Sequence, residues 1–355
     1  YGAGPYAAMH LADLGAEVIK IEDPSTNGDI GREVIPNVKD NDSLFYQAFN
    51  RNNQSVTLNF RVPEAKEVFH RLVKVSDVVL NNMRGDLPRK LGLDYEALKS
   101  INPNIVCCSL SGYGTSGSRS KEPAYDYIIA GLTGLQAITG DPGTPPTKPG
   151  ISVIDYATGF AAAMSVLAGV HGARNNGKGC DIDVSLFDVA ISMMNYLAAW
   201  HLNSGFQPVK MADSAHPSLL PSQNFPTKDG HIVVMCNKEG FWQRFAEAIE
   251  LPNLLEDDRF NSFESRWENQ DALLPILKDK LMEKDTDYWM NTLREAKVPV
   301  GNINTFEEAF SSPFLEERDM IWEVDSPVWG NIKVAGCPVH ISGEESFFVS
   351  NKMPR

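Results

Sequence analysis

Cysteine is scarce in this 355-residue sequence, and long apolar runs and an excess of positive charge are missing from it. Five cysteines, an odd number, do not make a disulfide framework, so a reducing, cytoplasmic location is expected. The most apolar runs, Phe160 to Val170 and Ile191 to Trp200, are shorter than the roughly 18 residues of a membrane span and predict buried helices, with no membrane partner. A formal charge of −14 excludes nucleic acid as a general partner, because nucleic acid demands a basic surface.

Familiar catalytic signatures are absent as well. The chain has no G-x-S-x-G elbow, no H-E-x-x-H helix and no P-loop, so serine hydrolase, zinc protease and nucleotide hydrolase mechanisms lack their essential parts. Cys337 and His340 form a single C-x-x-H without a second pair, so no metal site is predicted. No export signal is visible at Tyr1. The chemistry must therefore use carboxylates or scattered groups.

One nucleotide-like motif is present, but its context is wrong. Residues 112–117 (GYGTSG) spell G-x-G-x-x-G after a strand-like run. The polar, proline-containing segment 118–123 follows where a pyrophosphate-binding helix should begin, and no acidic residue ends a following strand about 20 residues later. The motif indicates a flexible loop near a site rather than a nicotinamide or flavin site.

Short β-type runs alternate with helical patterns in the first half of the chain, which predicts an α/β fold with a parallel, Rossmann-like sheet. The predicted strands are 17–22, 55–58, 77–80 and 105–110, and the predicted helices are 2–14, 63–74, 156–171 and 185–201. Turn signals at 175–179 and a short strand at 181–184 separate the last two helices.

Composition divides the chain into a large domain and a smaller α+β domain inserted in it. The large domain is predicted at 1–205, a linker at 206–226, the small domain at 227–313 and a return to the large domain at 314–355. We expect the first strand of the large domain to be missing before residue 2 and the C-terminal part to be truncated.

Two aspartates precede apolar helical stretches, and each has an ordinary structural interpretation. Asp155 ends the apolar run ISVID, and Asp126 precedes the stretch 128–138. Helix capping explains both, because a carboxylate accepts hydrogen bonds from the free amides at a helix start. For Asp155 a catalytic role is the alternative, since Ala157 and Gly159 leave space for a bulky thioester. The two roles do not exclude each other.

A local group of basic residues is the place where this acidic chain could meet a polyanion. Arg84, Arg89 and Lys90 lie close together in the sequence, with Arg51 and Arg61 upstream. Solvated surface charge is the alternative interpretation.

Several short motifs, none of them diagnostic alone, together and in their order along the chain indicate a protein family. They are Gly4-Pro5 with 11–22 (LADLGAEVIKIE), Asn50-Arg51 with 55–58 (SVTL), 77–79 (DVV) with Asn82, 91–95 (LGLDY), 111–117 (SGYGTSG), 123–126 (PAYD), Asp155, 177–185, Asp229-Gly230 and 298–300 (VPV). This series resembles family III CoA-transferases of the CaiB/BaiF superfamily, the group that includes formyl-CoA:oxalate and carnitine CoA-transferases. The resemblance covers essentially the whole chain.

The resemblance implies a transfer of coenzyme A between carboxylic acids through an aspartyl-CoA thioester, with Asp155 as the nucleophile. A carboxylate is ionised at pH 7 and a thiolate leaves readily, so the mechanism needs no triad, metal or tightly bound cofactor. Contacts to the nucleotide end of CoA would hold the thioester in place. By resemblance the CoA-binding residues are Gly2, Ala3, Leu58, Asn59, Phe60, Arg61, Asn82, Met83, Arg84, Lys90, Tyr125 and Asp126.

This chain departs from relatives at three positions. Asp23 stands where some relatives have an arginine, and Lys90 replaces another arginine with a point charge that lacks bidentate geometry. Tyr125 stands where the related α-methylacyl-CoA racemases have a histidine, which removes one base from that reaction. A 2-methylacyl-CoA racemase-like enzyme and a noncatalytic CoA-binding protein remain the alternatives.

The resemblance also implies an interlocked homodimer that acts on acyl-CoA and small carboxylic acids. The acids exchanged are not specified by the sequence. His216 and Lys238 lie where the substrate loop and the small-domain wall of the family would be, and either could meet a second carboxylate. A succinyl-CoA donor with a dicarboxylic acceptor is the hypothesis, and surface positions for both residues are the alternative.

Overall fold

The computed structural model describes residues 1–342, and the chain divides into two compact units. The larger unit comprises Tyr1–Leu135, Pro149–Ala198 and the chain from Pro313 onward, and the smaller comprises Gln136–Lys148 and Ala199–Ser312. This division departs from the predicted bounds in two places. The main part of the smaller unit begins at Ala199, inside an apolar helix, rather than after a linker. The smaller unit also includes the segment Gln136–Lys148, which the prediction assigned to the large domain. The Lys210 ammonium donates hydrogen bonds to the Thr144 and Pro145 carbonyl oxygens and so connects this segment to the rest of the smaller unit.

Strands and helices alternate through the first part of the larger unit. They are α1 (Ala3–Asp13), β1 (Val18–Glu22), β2 (Val38–Lys39), β3 (Asp42–Ser43), α2 (Leu44–Asn50), β4 (Asn53–Thr57), α3 (Pro63–Val75), β5 (Val78–Asn81), α4 (Leu87–Leu91), α5 (Tyr95–Leu98) and β6 (Val106–Ser111), with 3-10 turns at Pro24–Thr26 and Ile30–Glu33. Helix α3 shows why the pattern was readable. Pro63 opens the helix, and Ala65, Phe69 and Val73, spaced by four, bury one face.

Apolar helices dominate the next part of the chain. The elements are α6 (Asp126–Leu132), α7 (Leu135–Ile138), α8 (Val153–Asn176), β7 (Cys180–Ser185), α9 (Leu186–Met193) and α10 (Asn195–Ser204). Helix α8 ends at Gly177, whose φ of 65° is the left-handed conformation that glycine adopts without a Cβ clash. The turn that follows leads directly into β7.

Strands β1, β4, β5, β6 and β7 of the larger unit pair in parallel, as predicted, but in two sheets rather than in one, and β2 and β3 form a short antiparallel pair apart from them. Strands β1 and β4 pair with Val18 opposite Asn53. In the other sheet β6 lies between β5 and β7, with Val106 opposite Val78 and Cys180. Strand β6 is buried along its whole length, which is typical of a parallel strand covered on both faces.

The smaller unit is an α+β structure with its own core. Its further elements are the 3-10 turns Ala212–Ser214 and Pro252–Leu255, β8 (Ser222–Pro226), β9 (His231–Met235), α11 (Glu239–Ala248), α12 (Phe263–Glu268), α13 (Gln270–Leu281), α14 (Thr286–Glu295), β10 (Val300–Asn302) and α15 (Phe306–Phe310). Strand β9 lies between β8 and β10 in an antiparallel sheet. Trp242, Phe245 and Trp289 are fully buried in the core beside this sheet.

The chain returns to the larger unit after residue 312. Helix α16 (Phe314–Glu317) precedes an antiparallel hairpin of β11 (Ile321–Ser326) and β12 (Gly330–Ala335). The Arg51 guanidinium donates to the Ala335 carbonyl oxygen at 2.8 Å and lies over the Trp322 ring. These contacts fix the hairpin against the start of the chain.

Two of the apolar helices are less buried than the sequence predicted. Helix α10 has no buried residue, and on α8 the side chains of Phe160, Met164 and Leu167 are at least 42% exposed. By length and composition α8 could cross a membrane, but core helices pass the same test, and a third of its most apolar window is buried here. The prediction that both runs form buried helices is therefore wrong in its extent of burial, because α8 buries only one side and α10, which carries most of the second run, buries none.

Candidate active site

The start of α8 is held by a carboxylate from another helix. Ser152 at the helix N-cap makes no side-chain cap, and Asp126 supplies the acceptor instead. Its Oδ2 accepts hydrogen bonds from the amides of Ile154 at 2.8 Å and Asp155 at 3.0 Å. Neither capping prediction is therefore correct in detail. Asp155 lies in the first turn rather than at the N-cap, and Asp126 caps α8 rather than the stretch that follows it.

Two close approaches bring α1 against α8 beside Asp155. A Cβ atom at Gly2 would lie 2.5 Å from the Asp155 Oδ2, and one at Gly159 would lie 2.9 Å from the Ala3 carbonyl oxygen. Glycine at both positions is what allows the two backbones to come so close. The backbone of Gly2 thus borders the Asp155 carboxyl, with no side chain of its own in the space next to it.

The environment of Asp155 favours its protonated form more than water does. Burial, followed by repulsion from Asp126, raises the pKa of the Asp155 carboxyl to about 6. Among residues 1–342 no ion pair involves Asp155, and the more distant ammonium of Tyr1 lowers the pKa of its carboxyl less than burial and Asp126 raise it. The carboxyl is nonetheless mainly ionised at pH 7, and it is more basic than an exposed aspartate.

Aromatic rings lie on both sides of the two aspartates. Tyr156 follows Asp155 and packs against Tyr6 with ring centroids 4.9 Å apart. Tyr125 precedes Asp126, packs edge-on against Tyr1 at 6.1 Å and is 59% exposed. The sequence predicted Tyr125 as a CoA contact, and its exposure leaves one side of the ring accessible to a ligand.

The predicted CoA-binding residues from Asn82 to Lys90 form a loop that opens into α4. The Asn82 side chain accepts from the Gly4 amide at 3.0 Å and donates to the Leu110 carbonyl oxygen at 3.2 Å, which ties the loop to α1 and β6. Met83 packs against the apolar cluster of α3 and α5. The end of β5 and the start of α1 therefore meet, and this brings Gly2, Ala3 and Asn82 into one region.

Two cations of this loop, Arg84 and Lys90, are already engaged. Asp86 accepts from the Arg84 Nε at 2.6 Å and from the Lys90 Nζ at 2.5 Å. These two partners hold the pKa of Asp86 well below its usual range. Sequence reasoning missed Asp86, although its position four residues before Lys90 on a short helix was a usable signal.

Residues 58–61 contribute an apolar surface and one exposed cation. Leu58 and Phe60 are half-buried against the cluster that contains Phe69. The Asn59 side chain accepts from the Arg61 amide at 3.0 Å, which shapes the turn. Arg61 is exposed, so the guanidinium is accessible at this end of β4.

Arg51 does not belong to the proposed basic group. It is 2% exposed, and its guanidinium binds both carboxylate oxygens of Asp13, with the shortest distance 2.6 Å. A buried ion pair of this kind is part of the fold and cannot meet a ligand phosphate. The motif Asn50-Arg51 is therefore structural, and the interpretation of Arg51 as a ligand contact is wrong.

The glycine-rich loop 112–117 meets the loop that contains Gly85. A Cβ atom at Gly85 would lie 2.0 Å from the Gly114 carbonyl oxygen, so only glycine fits there. On its other side the loop is fixed by Asp183, which accepts from the Thr115 amide at 2.8 Å. The glycine-rich motif therefore packs against the loop that contains Gly85. At Gly85 the two backbones come close together, and the sequence analysis did not predict this contact.

His216 and Lys238 belong to the smaller unit. The His216 Nδ1 lies 3.2 Å from the Ser218 amide, and burial lowers the pKa of the imidazole. Lys238 is the N-cap residue of α11, with its ammonium 5.7 Å from the centre of the Phe241 ring.

The fold and the geometry around Asp155 define an α/β protein with a partly buried carboxylate at a helix start, and comparison with known proteins gives the family. The model of CoA-transferase family III matches residues 1–355. The chain belongs to CoA-transferase family III, and the protein is a CoA-transferase.

Three relatives illustrate the match. Human succinyl-CoA:glutarate CoA-transferase is 34% identical over 340 residues, covering 96% of this chain and 77% of the relative. Succinyl-CoA:mesaconate CoA-transferase of Haloarcula hispanica is 32% identical, covering 96% and 87%. The crystal structure of a CAIB/BAIF family protein from Brucella suis has a TM-score of 0.83 and 31% identity, covering all of this chain and 92% of that one. The racemase and the noncatalytic CoA-binding protein are therefore set aside.

Proposed function

We propose that this enzyme moves coenzyme A from a donor acyl-CoA to a carboxylic acid through a covalent thioester on Asp155. The observation that carries the proposal is the Asp155 carboxyl at the start of α8, partly buried beside the bare backbone of Gly2. The raised basicity of this carboxylate makes it a better nucleophile than an exposed aspartate, and it is still mainly ionised at pH 7.

The steps balance without a metal or an external base. An Asp155 oxygen attacks the thioester carbonyl carbon, the C–S bond breaks, and CoA thiolate leaves a mixed anhydride behind. The thiolate then attacks the Asp155 carbonyl carbon, which releases the donor acid and forms the aspartyl-CoA thioester. An acceptor carboxylate repeats the sequence in reverse, so that acceptor acyl-CoA forms and the Asp155 carboxylate is regenerated.

Asp126 acts as a positioning residue in this proposal, although the resemblance placed it among the CoA contacts. Its carboxylate is 4% exposed and is directed at the amides of Ile154 and Asp155. Two hydrogen bonds to one oxygen fix the backbone that carries the nucleophile. The charge of Asp126 also raises the basicity of Asp155.

The remaining predicted residues form the proposed CoA site. Arg61, Arg84 and Lys90 supply exposed cations for the phosphates, which an acidic chain must provide locally. Leu58, Phe60 and Met83 supply half-buried apolar surface, and Gly2, Ala3 and Asn82 border the path toward Asp155. CoA enters as substrate, and no tightly bound cofactor is part of the proposal.

Succinyl-CoA is the proposed donor, and a dicarboxylic acid is the proposed acceptor. The printed names of relatives that share about a third of the residues support this choice. His216 and Lys238 remain the candidate contacts for the second carboxylate. A screen of acyl-CoA donors against mono- and dicarboxylic acids, read by mass spectrometry, tests the assignment. Preference for monocarboxylic acids would reject it.

We also propose a homodimer and a cytoplasmic location. The exposed apolar side chains of α8 and α9, among them Met164, Leu167 and Ile191, support association with a second copy. The five free cysteines fit a reducing compartment. Light scattering on the purified chain tests the dimer, and a monomer at micromolar concentration would contradict it.

The role of Asp155 is tested by Asp155→Asn, which keeps the shape of the side chain but removes its charge. We expect a loss of transfer of at least about a thousandfold, with CoA binding retained, because only the covalent step is removed. The wild type incubated with acyl-CoA alone should give a CoA adduct by mass spectrometry that hydroxylamine releases. Asp188→Asn, an exposed aspartate in the first turn of α9, is the matched control. Full turnover in Asp155→Asn would reject the mechanism.

A further inference from the structure

His10 is a buried histidine whose hydrogen-bonding groups have no partner within the described part of the chain. The residue is 3% exposed, and both ring nitrogens lack a hydrogen bond. Its ring is held between aromatic neighbours, stacked on Phe160 at 4.7 Å and edge-on to Tyr6 at 4.4 Å. Buried polar atoms nearly always find partners, so an orphaned imidazole indicates a missing ligand.

Two other metal-ligating side chains face the same position. A His10 ring nitrogen, an Asp13 carboxylate oxygen and the Cys337 Sγ all lie within 4.8 Å of one another. All three residues are buried, at 3%, 1% and 3% exposure. The sequence predicted no metal site because it could pair Cys337 only with His340. The fold instead brings Cys337 to a helix more than 300 residues earlier in the chain.

We propose that His10, Asp13 and Cys337 bind one divalent cation of the zinc class. Imidazole nitrogen, thiolate sulfur and carboxylate oxygen are the ligands that zinc selects, whereas calcium and magnesium prefer oxygen alone. Tetrahedral bonds of about 2.0 to 2.3 Å require the ligand atoms to close in by roughly 1 Å. Water completes the fourth position.

Asp13 already forms an ion pair with Arg51, so a cation must bind Asp13 without breaking that pair. The Arg51 Nε is shared between the two Asp13 oxygens at 3.0 and 3.1 Å, and its Nη2 binds Oδ2 at 2.6 Å. Oδ1 also accepts from the Asn52 side chain at 2.9 Å, so it can meet a metal by giving up the weaker Arg51 Nε contact while Oδ2 keeps the arginine. Binding releases the Cys337 thiol proton to solvent, and the resulting thiolate offsets the added positive charge.

The site joins two distant parts of the larger unit. His10 and Asp13 lie on α1, the helix whose first residues border Asp155, and Cys337 follows β12 near the end of the described chain. A bound cation would fix the C-terminal hairpin to this helix. The role is structural, so the proposal stands or fails independently of the transfer mechanism.

Cobalt(II) is the probe, because thiolate ligation gives it a near-ultraviolet charge-transfer band. The chelator-treated full chain, with any affinity tag removed, should bind one Co²⁺ per chain and develop this band together with the visible bands of tetrahedral cobalt. Zinc added in equal amount should displace the cobalt. A wild-type chain that shows no band and retains no zinc after dialysis would overturn the proposal without any variant.

Variants then locate the site. Cys337→Ser and His10→Asn should lose the charge-transfer band, and added Zn²⁺ should raise the melting temperature of the wild type but not of these variants. Cys180→Ser removes a half-exposed thiol from β7 and is the matched control that should behave as wild type. Circular dichroism establishes that each variant folds. A band that survives in a folded Cys337→Ser would also overturn the assignment.

Discussion

The start of α8 and the loop from Asn82 to Lys90 both carry charge, but they hold it in opposite ways. At the helix start, Asp126 is satisfied by two backbone amides, and no ion pair among residues 1–342 neutralises Asp155. In the loop, Asp86 binds both Arg84 and Lys90. The carboxylate proposed as nucleophile thus lacks an ion pair, while the two loop cations proposed for CoA, Arg84 and Lys90, share one carboxylate.

This difference suits the two tasks. A nucleophile gains from weak solvation and from the absence of a cation that would lower its basicity. A phosphate site must release its cations easily, and side-chain exposure of 42% for Arg84 and 61% for Lys90 keeps the cost of exchange low. The helix start is therefore expected to respond sharply to substitution, and the loop only mildly.

Among substitutions that leave the Asp155 carboxylate in place, the largest effect is expected from Gly2→Ala. The new methyl group would lie 2.5 Å from the Asp155 Oδ2 and must push the carboxyl aside. A displacement of about 1 Å at a reacting group costs on the order of a hundredfold in kcat. Steady-state kinetics measures the loss, with CoA binding followed in parallel.

Gly172→Ala is the matched control for that substitution. Gly2 is the N-cap residue of α1, whereas Gly172 lies inside α8, where a Cβ atom meets nothing within 4 Å. Turnover should stay at the wild-type level, and stability should rise slightly because alanine favours helix. Equal losses in the two variants would show that the contact between Gly2 and Asp155 has no special importance.

Asp126→Asn separates the charge of Asp126 from its hydrogen bonds. Asparagine caps helices as well as aspartate does, so stability should change little, while kcat falls roughly tenfold as Asp155 becomes less basic. The wild-type rate of the half reaction should decline below about pH 6, where Asp155 gains its proton. This acid limb should move to lower pH in the variant. If the acid limb stays at the same pH, Asp126 does not influence the pKa of Asp155.

Asp126→Ala removes the cap as well and should cost about 1 kcal/mol of stability in addition. Asp285→Ala, which removes the N-cap of α14 in the smaller unit, is the control for capping alone. Urea denaturation compares the two variants. Only the first should change the pH profile.

Asp155→Asn should stabilise the protein that it inactivates. The folded pKa of about 6 exceeds the ordinary 3.8, so the folded state binds more protons between these values and stability falls as pH rises through this window. Removing the group should therefore add about 1 to 2 kcal/mol at pH 7 and little at pH 3.5. Melting curves at the two pH values test this. A destabilised variant at pH 7 would show that the carboxylate is stabilised by contacts other than those seen here.

The strands were predictable because each is a short β-rich run next to a helical pattern, and β1 and β5 begin within one residue of their expected starts. Asp155 was found by its place at the end of an apolar run and by resemblance. The hydrogen bonds that the α8 amides donate to Asp126 were not predictable, since they join residues 28 and 29 apart in the chain. Periodicity reports which face of a helix is apolar, but not which two helix ends meet.

Burial of individual residues was the weaker part of the prediction for the same reason. Arg51 belongs to a family-like motif, yet its partner Asp13 lies 38 residues away, and nothing local distinguishes a buried ion pair from a phosphate contact. Helix α10 is apolar in sequence but has no buried residue. Its apolar side chains are consistent with the proposed second copy, which one sequence cannot reveal.

The smallest effect is expected from Asp86→Asn. The change frees Arg84 and Lys90 from their shared carboxylate, so the KM for acyl-CoA should fall two- to fivefold while kcat stays constant, because exposed ion pairs hold their partners only weakly. High salt should abolish the gain, because exposed charges are screened over roughly 10 Å at 0.1 M. The control is Glu122→Gln. Glu122 forms an exposed ion pair with Arg119 outside the loop, so this change should leave KM unchanged. A raised KM in Asp86→Asn would mean that Asp86 orients the two cations for CoA rather than occupying them, and the contrast with the helix start would then disappear.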